Sequence, residues 1–244
     1  MSPAAAGAPG TAQIPQGLVS AVVALVDTGP VQLGAYTIAE LTAVDAIVDF
    51  LETRPSDEVI AEAVRSLAAR QLLVAGSENG GVQVRGDLGI AVAFQQRARM
   101  VLDARATGTA PGEPWRILLL PQPEPICIMV RIDALGIHEL GLFRSAQALD
   151  LLMDWLPSGE RANPRQRESA DELIAAADRS ALITVTRYTT TGSAEVAGAS
   201  SDLVLARRGD TLHAFARHSD GQSSLTPTRL TGDGVRDTVE AMLS

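Results

Sequence analysis

Apolar residues recur at spacings of three and four over residues 37–52, which predicts an amphipathic helix. The stripe consists of Ile38, Leu41, Val44, Ile47, Val48 and Leu51. Pro55 ends this helix, and Ser56 caps a second helix that has its own apolar stripe. The next segment alternates around Asn79-Gly80, a pair typical of hairpin turns. Helix, turn, helix and hairpin across residues 37–86 is the element order of a winged helix.

Short apolar runs separated by turn residues predict strands followed by helices in the rest of the chain. We expect strands over 100–106, 115–120, 126–132 and 138–143, then a helix over 145–156; residues 88–96 fit a strand or a helix. After a polar stretch the same order returns: a helix over 170–178, strands over 182–188, 202–207 and 211–217, and a closing helix over 234–243. The pattern therefore indicates the α+β class.

The returning order indicates an internal duplication. Residues 117–120 match 203–206 at an offset of 86 residues (203 less 117), and past the turn Ile126 falls over Leu212. We therefore predict two related halves, each an antiparallel β-sheet packed with helices, related by a pseudo-two-fold axis. The predicted divisions are a disordered tail over 1–16, a first half over 17–157, a linker over 158–169 and a second half over 170–244.

The tripeptide Arg-Gly-Asp occurs twice, at 85–87 and at 208–210. The second copy lies between two predicted strands, where Gly permits positive φ and Asp accepts local hydrogen bonds, so it is expected to be a hairpin turn. The first copy marks the end of the first hairpin. Neither copy is interpreted as an adhesion signal, because the N-terminal residues lack the features of a secretion signal.

Composition disfavours some functions. The net charge of −9 opposes the phosphate neutralisation that nucleic-acid binding requires. Asp57, Glu58 and Glu62 would also face DNA at the start of the second helix, so DNA binding through residues 37–86 stays a minor alternative. The one cysteine, Cys127, fits a reducing cytoplasm, and no apolar run approaches the roughly 20 residues of a membrane helix.

The chain carries no catalytic signature. His138, His213 and His218 lack metal-ligand spacing, and Cys127 has only apolar neighbours. The glycine-rich residues 76–81 precede a strand and lack the lysine of a phosphate loop. We therefore expect no enzyme activity, no metal and no cofactor. A protein that binds a small ligand is a further alternative.

The chain resembles the EspG family of type VII (ESX) secretion-associated proteins of actinobacteria. The resemblance rests on the helix end SLAARQLL before a variable hairpin, the strand MVLDARA, and the closing stretch TLHAFARHSDGQSSLTPTRLTGDGVRDTVEAML. It implies two related α+β halves and a cytosolic chaperone that holds helical secretion substrates, typically PE/PPE pairs. It further implies partner contacts from a loop and from the closing helix. The matching residues are Thr107, Thr109, Pro111, Glu113 and Trp115 in the loop, with PQPEP at 121–125 as the less favoured alternative loop, and Val235 and Val239 in the helix. The sequence is also compatible with a homodimer.

Overall fold

A computed structural model describes residues 14–46, 54–76, 82–162, 169–191, 194–217, 225–228, 230 and 234–244. The helices are α1 (Gln16–Thr28), α2 (Ile38–Ala43), α3 (Asp57–Ala69), α4 (Gly86–Gln95), α5 (Ser145–Trp155), α6 (Ala170–Ala175) and α7 (Val235–Leu243). The strands are β1 (Val31–Thr37), β2 (Leu73–Ala75), β3 (Val82–Val84), β4 (Met100–Thr107), β5 (Arg116–Pro121), β6 (Ile126–Ile132), β7 (Ile137–Arg144), β8 (Glu160–Arg161), β9 (Arg179–Thr191), β10 (Ala194–Arg208), β11 (Thr211–Arg217) and β12 (Leu225–Pro227). None of the helices in these ranges has the length and apolar character needed to cross a membrane.

One large sheet runs through both halves of the chain in the order β1-β7-β6-β5-β4-β9-β10-β11-β12. Its pairs along this path are antiparallel, and the short strand β8 adds a parallel pair to β11. β2 and β3 form a separate two-stranded sheet. The fold is therefore α+β, as predicted. The predicted linker contains β8, while the tail residues 1–13 lie outside the described residues.

The order of elements repeats along the chain. A helix, four strands and a helix run from α4 to α5, and again from α6 to α7. The two sets meet at the β4–β9 pair, where residues 100–107 lie opposite 180–187, so the halves share one sheet instead of forming two. The strands follow in chain order on either side of this pair, β4 to β7 on one side and β9 to β12 on the other. A common ancestor of the halves remains a prediction.

The constant offset of 86 residues fails in the second strand of the matched hairpins. Ile126 and Leu212 pack into different cores on opposite faces of the sheet, whereas Cys127 shares the core of Leu212. The two turns differ in length: Gln122 bonds to Ile126 across three residues, while Arg208 pairs with Thr211 across two. A one-residue difference in register moves every side chain to the other face.

Helices cover both faces of the sheet. α5 and α7 pack on one face, where Leu152 and Val239 join Leu119 and Leu205 in a core that spans both halves. On the other face, α1 to α4 cover the strands of the first half, and α6 covers β10 and β11 with a smaller core around Phe215. Alternation along the strands sends apolar side chains to both faces, so most of the sheet is buried.

The predicted helix over 37–52 is wrong at residues 44–46, which follow the end of α2 at Ala43. The helix α2 ends in a Schellman motif: the N–H of Ala46 donates to the carbonyl of Leu41, and the N–H of Asp45 to that of Thr42. Asp45 takes the left-handed φ of 55° that this motif requires. Residues 47–52 lie outside the described residues. The apolar stripe extends past the end of α2 because Val44, the residue after the last helical turn, still packs against the core.

Other elements match the predictions from the sequence or add to them. The undecided residues 88–96 form most of α4, and the second Arg-Gly-Asp is the turn between β10 and β11, with Gly209 at φ 58°. The first copy joins β3 to α4, with Gly86 at φ 61°. The Asn79-Gly80 turn lies outside the described residues. The elements α1, β1, β8 and β12 were not predicted.

Candidate functional site

One end of the large sheet gathers the predicted partner loop and three neighbouring connections. There lie the β4–β5 loop, the β6–β7 turn over 133–136, the start of β9 and the β10–β11 turn over 209–210. Their order follows from the antiparallel topology, because β4, β6 and β10 end where β5, β7, β9 and β11 begin. We call this region the Trp115 end of the sheet.

Hydrogen bonds of Glu113 hold the predicted partner loop, residues 107–115, in place. The carboxylate of Glu113 accepts 2.7 Å and 3.0 Å hydrogen bonds from Nη1 of Arg179 and the backbone N–H of Ala110. These bonds, that from Arg179 first, hold the pKa of Glu113 below its ordinary value. At the start of the loop the hydroxyls of Thr107 and Ser180 lie 2.8 Å apart. Glu113 and Thr107 therefore join the loop to β9 instead of facing solvent unpaired.

The C-terminus of α5 fixes the other side of the loop. The indole Nε1–H of Trp155 donates to the carbonyl of Pro114 at 2.9 Å. Nη2 of Arg179 donates to the carbonyl of Trp155 at 2.6 Å, and its guanidinium lies 5.8 Å from the centre of the indole ring. A cation at a helix C-terminus is favourable because it meets carbonyls without helical partners. The loop is thus anchored to both the sheet and the helix layer.

Two large apolar side chains remain exposed on this fixed backbone. Trp115 is 37% exposed at the end of the loop, and Leu135 is 86% exposed in the adjacent β6–β7 turn. The carboxylate of Asp133 fixes that turn by accepting 2.9 Å bonds from the N–H groups of Leu135 and Ile137. Sequence reasoning missed Leu135. An apolar residue in the short connection between two predicted strands was the available signal.

The remaining loop candidates lie around Trp115. Pro111 is exposed and Thr109 is half-buried. Gly108 and Gly112 both have positive φ, at 68° and 85°. Exposed residues are found along the whole loop, from Thr107 to Trp115, whereas Pro114 is buried.

The two candidate residues on the closing helix differ in burial. Val239 is fully buried in the core between α7 and the sheet, so its side chain is unavailable to a partner in this conformation. Val235 is half-buried and lines a groove of about 390 Å³ between the end of α5 and the start of α7. This groove also includes Met153, Leu156 and Pro157. Because Trp155 contacts the loop, the two predicted partner segments meet at the same helix end.

The residues considered for chemistry are separated. Cys127 is buried, and burial raises the pKa of its thiol to about 12. Burial also lowers the pKa of His138, which favours its neutral form. His213 stacks on Phe215, and His218 lies outside the described residues. Among the residues that the structure describes, no three His, Cys, Asp or Glu side chains are placed to hold a metal ion.

The winged-helix-like lobe, formed by α2, α3, β2 and β3, is held by Glu40. Its carboxylate accepts bonds from the backbone of Thr37, the hydroxyl of Ser66 and Nη1 of Arg70, at 2.9 Å each. Burial alone would raise the pKa of Glu40, but these bonds and the charge of Arg70 together lower it. The exposed start of α3 carries the acidic Asp57 and Glu58. That charge opposes contact with DNA phosphates.

Comparison with protein-family models gives no match, and comparison with curated proteins gives none.

Proposed function

We propose that the protein is a non-enzymatic, cytosolic chaperone that binds a helical type VII secretion substrate. Its contact surface is the Trp115 end of the sheet. The observation that carries the proposal is the pair of exposed apolar side chains, Trp115 and Leu135, on backbone fixed by hydrogen bonds. Aromatic anchors dominate protein interfaces, and a fixed anchor loses little conformational entropy on binding.

The spacing of the two anchors suits a helix. Trp115 lies immediately before β5, and Leu135 lies in the turn that joins the next two strands, β6 and β7. Neighbouring strands are about 4.8 Å apart, so the backbone positions are about one to two strand spacings, or about 5–10 Å, from each other. Side chains four residues apart on a helix are about 6 Å apart. A helix laid across the end of the sheet can therefore present one apolar residue to each anchor.

Affinity capture from the cytosol of the native host tests the proposal. The tagged wild-type chain, the double variant Trp115→Ala/Leu135→Ser and the control Val59→Ser would be compared by quantitative mass spectrometry. Val59 is a matched control because it is 51% exposed on α3, which packs on the face of the sheet opposite to the one that Trp115 faces. We expect wild type and control to capture the same small helical secreted protein, and the double variant to lose it at least tenfold.

Equal capture by the double variant would contradict the assigned surface. Recovery of DNA fragments without a helical partner would favour the regulator alternative, which the element order of α2, α3, β2 and β3 supports. A gel-shift assay at two salt concentrations measures that alternative directly, because phosphate contacts weaken steeply with salt. The groove between α5 and α7 is where the small-ligand alternative places its ligand.

A further inference from the structure

Two arginines lie directly opposite each other at the Trp115 end of the sheet. Arg179 at the start of β9 pairs with Arg207 near the end of β10. Side chains alternate along a strand, so both point to the face that α5 and α7 cover, as do Ala181 and Leu205 two residues away. Like charges directly opposite on neighbouring strands repel each other. A feature of this kind requires a compensating negative charge.

The nearby carboxylates compensate only one of the two arginines. Glu113 pairs with Arg179 at 2.7 Å. The carboxylate of Asp178 accepts a bond from the backbone N–H of Gly209. Within the described ranges, the side chain of Arg207 has no hydrogen-bond or ion-pair partner, although it is half-buried and its Nε is shielded from solvent. A partly desolvated guanidinium without a partner is costly to the isolated protein.

We propose that Arg207 binds a carboxylate of the partner protein, an Asp or Glu side chain that supplies the missing charge. This inference rests on the proposed function and specifies the chemistry of the partner. Arg207 and Trp115 point to the same face, three strands apart, which is about 14 Å at about 4.8 Å per strand. A partner helix with a rise of 1.5 Å per residue covers that distance in about nine residues. Positions seven, eight or eleven residues apart lie on one face of a helix, so the partner carries an acidic residue at one of these spacings from its apolar anchor.

A first test uses the isolated protein. Arg207→Met removes the charge and keeps an apolar stem, and Arg208→Gln removes a charge from the next residue, on the opposite face of β10. We expect the melting temperature of Arg207→Met to equal or exceed that of wild type; a lower value would show that Arg207 is satisfied within the fold and would overturn the inference.

A second test uses sodium acetate as the carboxylate probe, with sodium chloride at equal ionic strength. The Nε–H resonance of Arg207, assigned by its loss in Arg207→Met, is expected to shift saturably with acetate only. The absence of an acetate-specific shift would count against a carboxylate site.

The capture experiment then separates this inference from the proposed function. If Arg207→Met and Arg207→Glu reduce capture at least fivefold and twentyfold, while Arg208→Gln captures like wild type, Arg207 is a recognition residue. If capture depends on Trp115 but is unchanged by both Arg207 variants, the inference fails and the proposed function stands. If wild type captures no helical protein, the proposed function fails, and the melting and acetate measurements still decide whether Arg207 accepts a carboxylate.

Discussion

The Gly108→Ala substitution tests whether the partner loop is held against the sheet. Gly108 has a φ of 68°, and a Cβ at this position would overlap the backbone carbonyl oxygen of Asp178. Gly112, in the same loop, has a φ of 85° but no atom within 4 Å of the equivalent Cβ position. The two glycines share the backbone requirement and differ in their neighbours, so Gly112→Ala is a matched control.

The positive φ lowers the free energy of unfolding of both alanine variants, and the overlap with Asp178 lowers it further for Gly108→Ala. An L-residue in the left-handed region costs about 1–2 kcal/mol, which applies to both variants. The overlap at Gly108 adds about 1–3 kcal/mol, because the backbone of β9 cannot turn aside as a flexible side chain can. Gly108→Ala should therefore be less stable than Gly112→Ala by about 2 kcal/mol. For a chain of this size that corresponds to a melting temperature lower by about 4–8 °C.

Thermal unfolding followed by circular dichroism measures this difference. Capture of the helical partner at a temperature where both variants are folded measures its consequence for the surface. We expect Gly108→Ala to lose more capture than Gly112→Ala, because the loop must leave β9 to accommodate the methyl group. Equal melting temperatures for the two variants would refute the docked loop, since only contact with Asp178 separates them.

Three further predictions concern single groups. Glu40→Gln should lower the free energy of unfolding by about 1–2 kcal/mol at pH 7, measured by urea titration. Because the pKa of Glu40 is lowered on folding, this difference should be present above the ordinary carboxylate pKa and disappear as the pH falls through the folded-state value. Cys127, with a pKa of about 12, should resist iodoacetamide at pH 8 in the folded protein and react in urea; labelling of the folded protein would contradict its burial. Trp155→Phe removes the bond to Pro114 and should increase amide hydrogen exchange in the partner loop while leaving exchange in β6 unchanged.

The sequence was sufficient to predict those helices and strands whose apolar run ends where a turn residue or a proline marks the boundary. Strands β4 to β7 and the helix α5 were predicted because each apolar run ends at a turn residue or, for α5, at Pro157. The helix α1 was missed because its sequence is apolar almost all round, with Leu18 and Leu25 exposed beside the buried Val22, so no single face stood out. The overextended helix at 37–52 shows the converse, since the pattern persisted across a stop made by Asp45.

The candidate site was only partly accessible from sequence. The loop and Trp115 were identified from composition and resemblance, but the opposition of Arg179 and Arg207 depends on strand register, and the residues are 28 positions apart (207 less 179). The burial of Val239 likewise follows from which face of α7 meets the sheet, and a helical stripe alone does not distinguish a core from a contact surface.

Photo-crosslinking from position 115 in the native host tests the central claim most directly. The chain contains no lysine, so a photoreactive residue in place of Trp115 is more informative than amine chemistry, and the same residue at Val59 is the control. The account predicts a covalent adduct with a small helical secretion substrate from position 115, absent from position 59 and weakened by Leu135→Ser. No adduct above the level at position 59 would contradict the assignment of the Trp115 end as the surface that holds a partner.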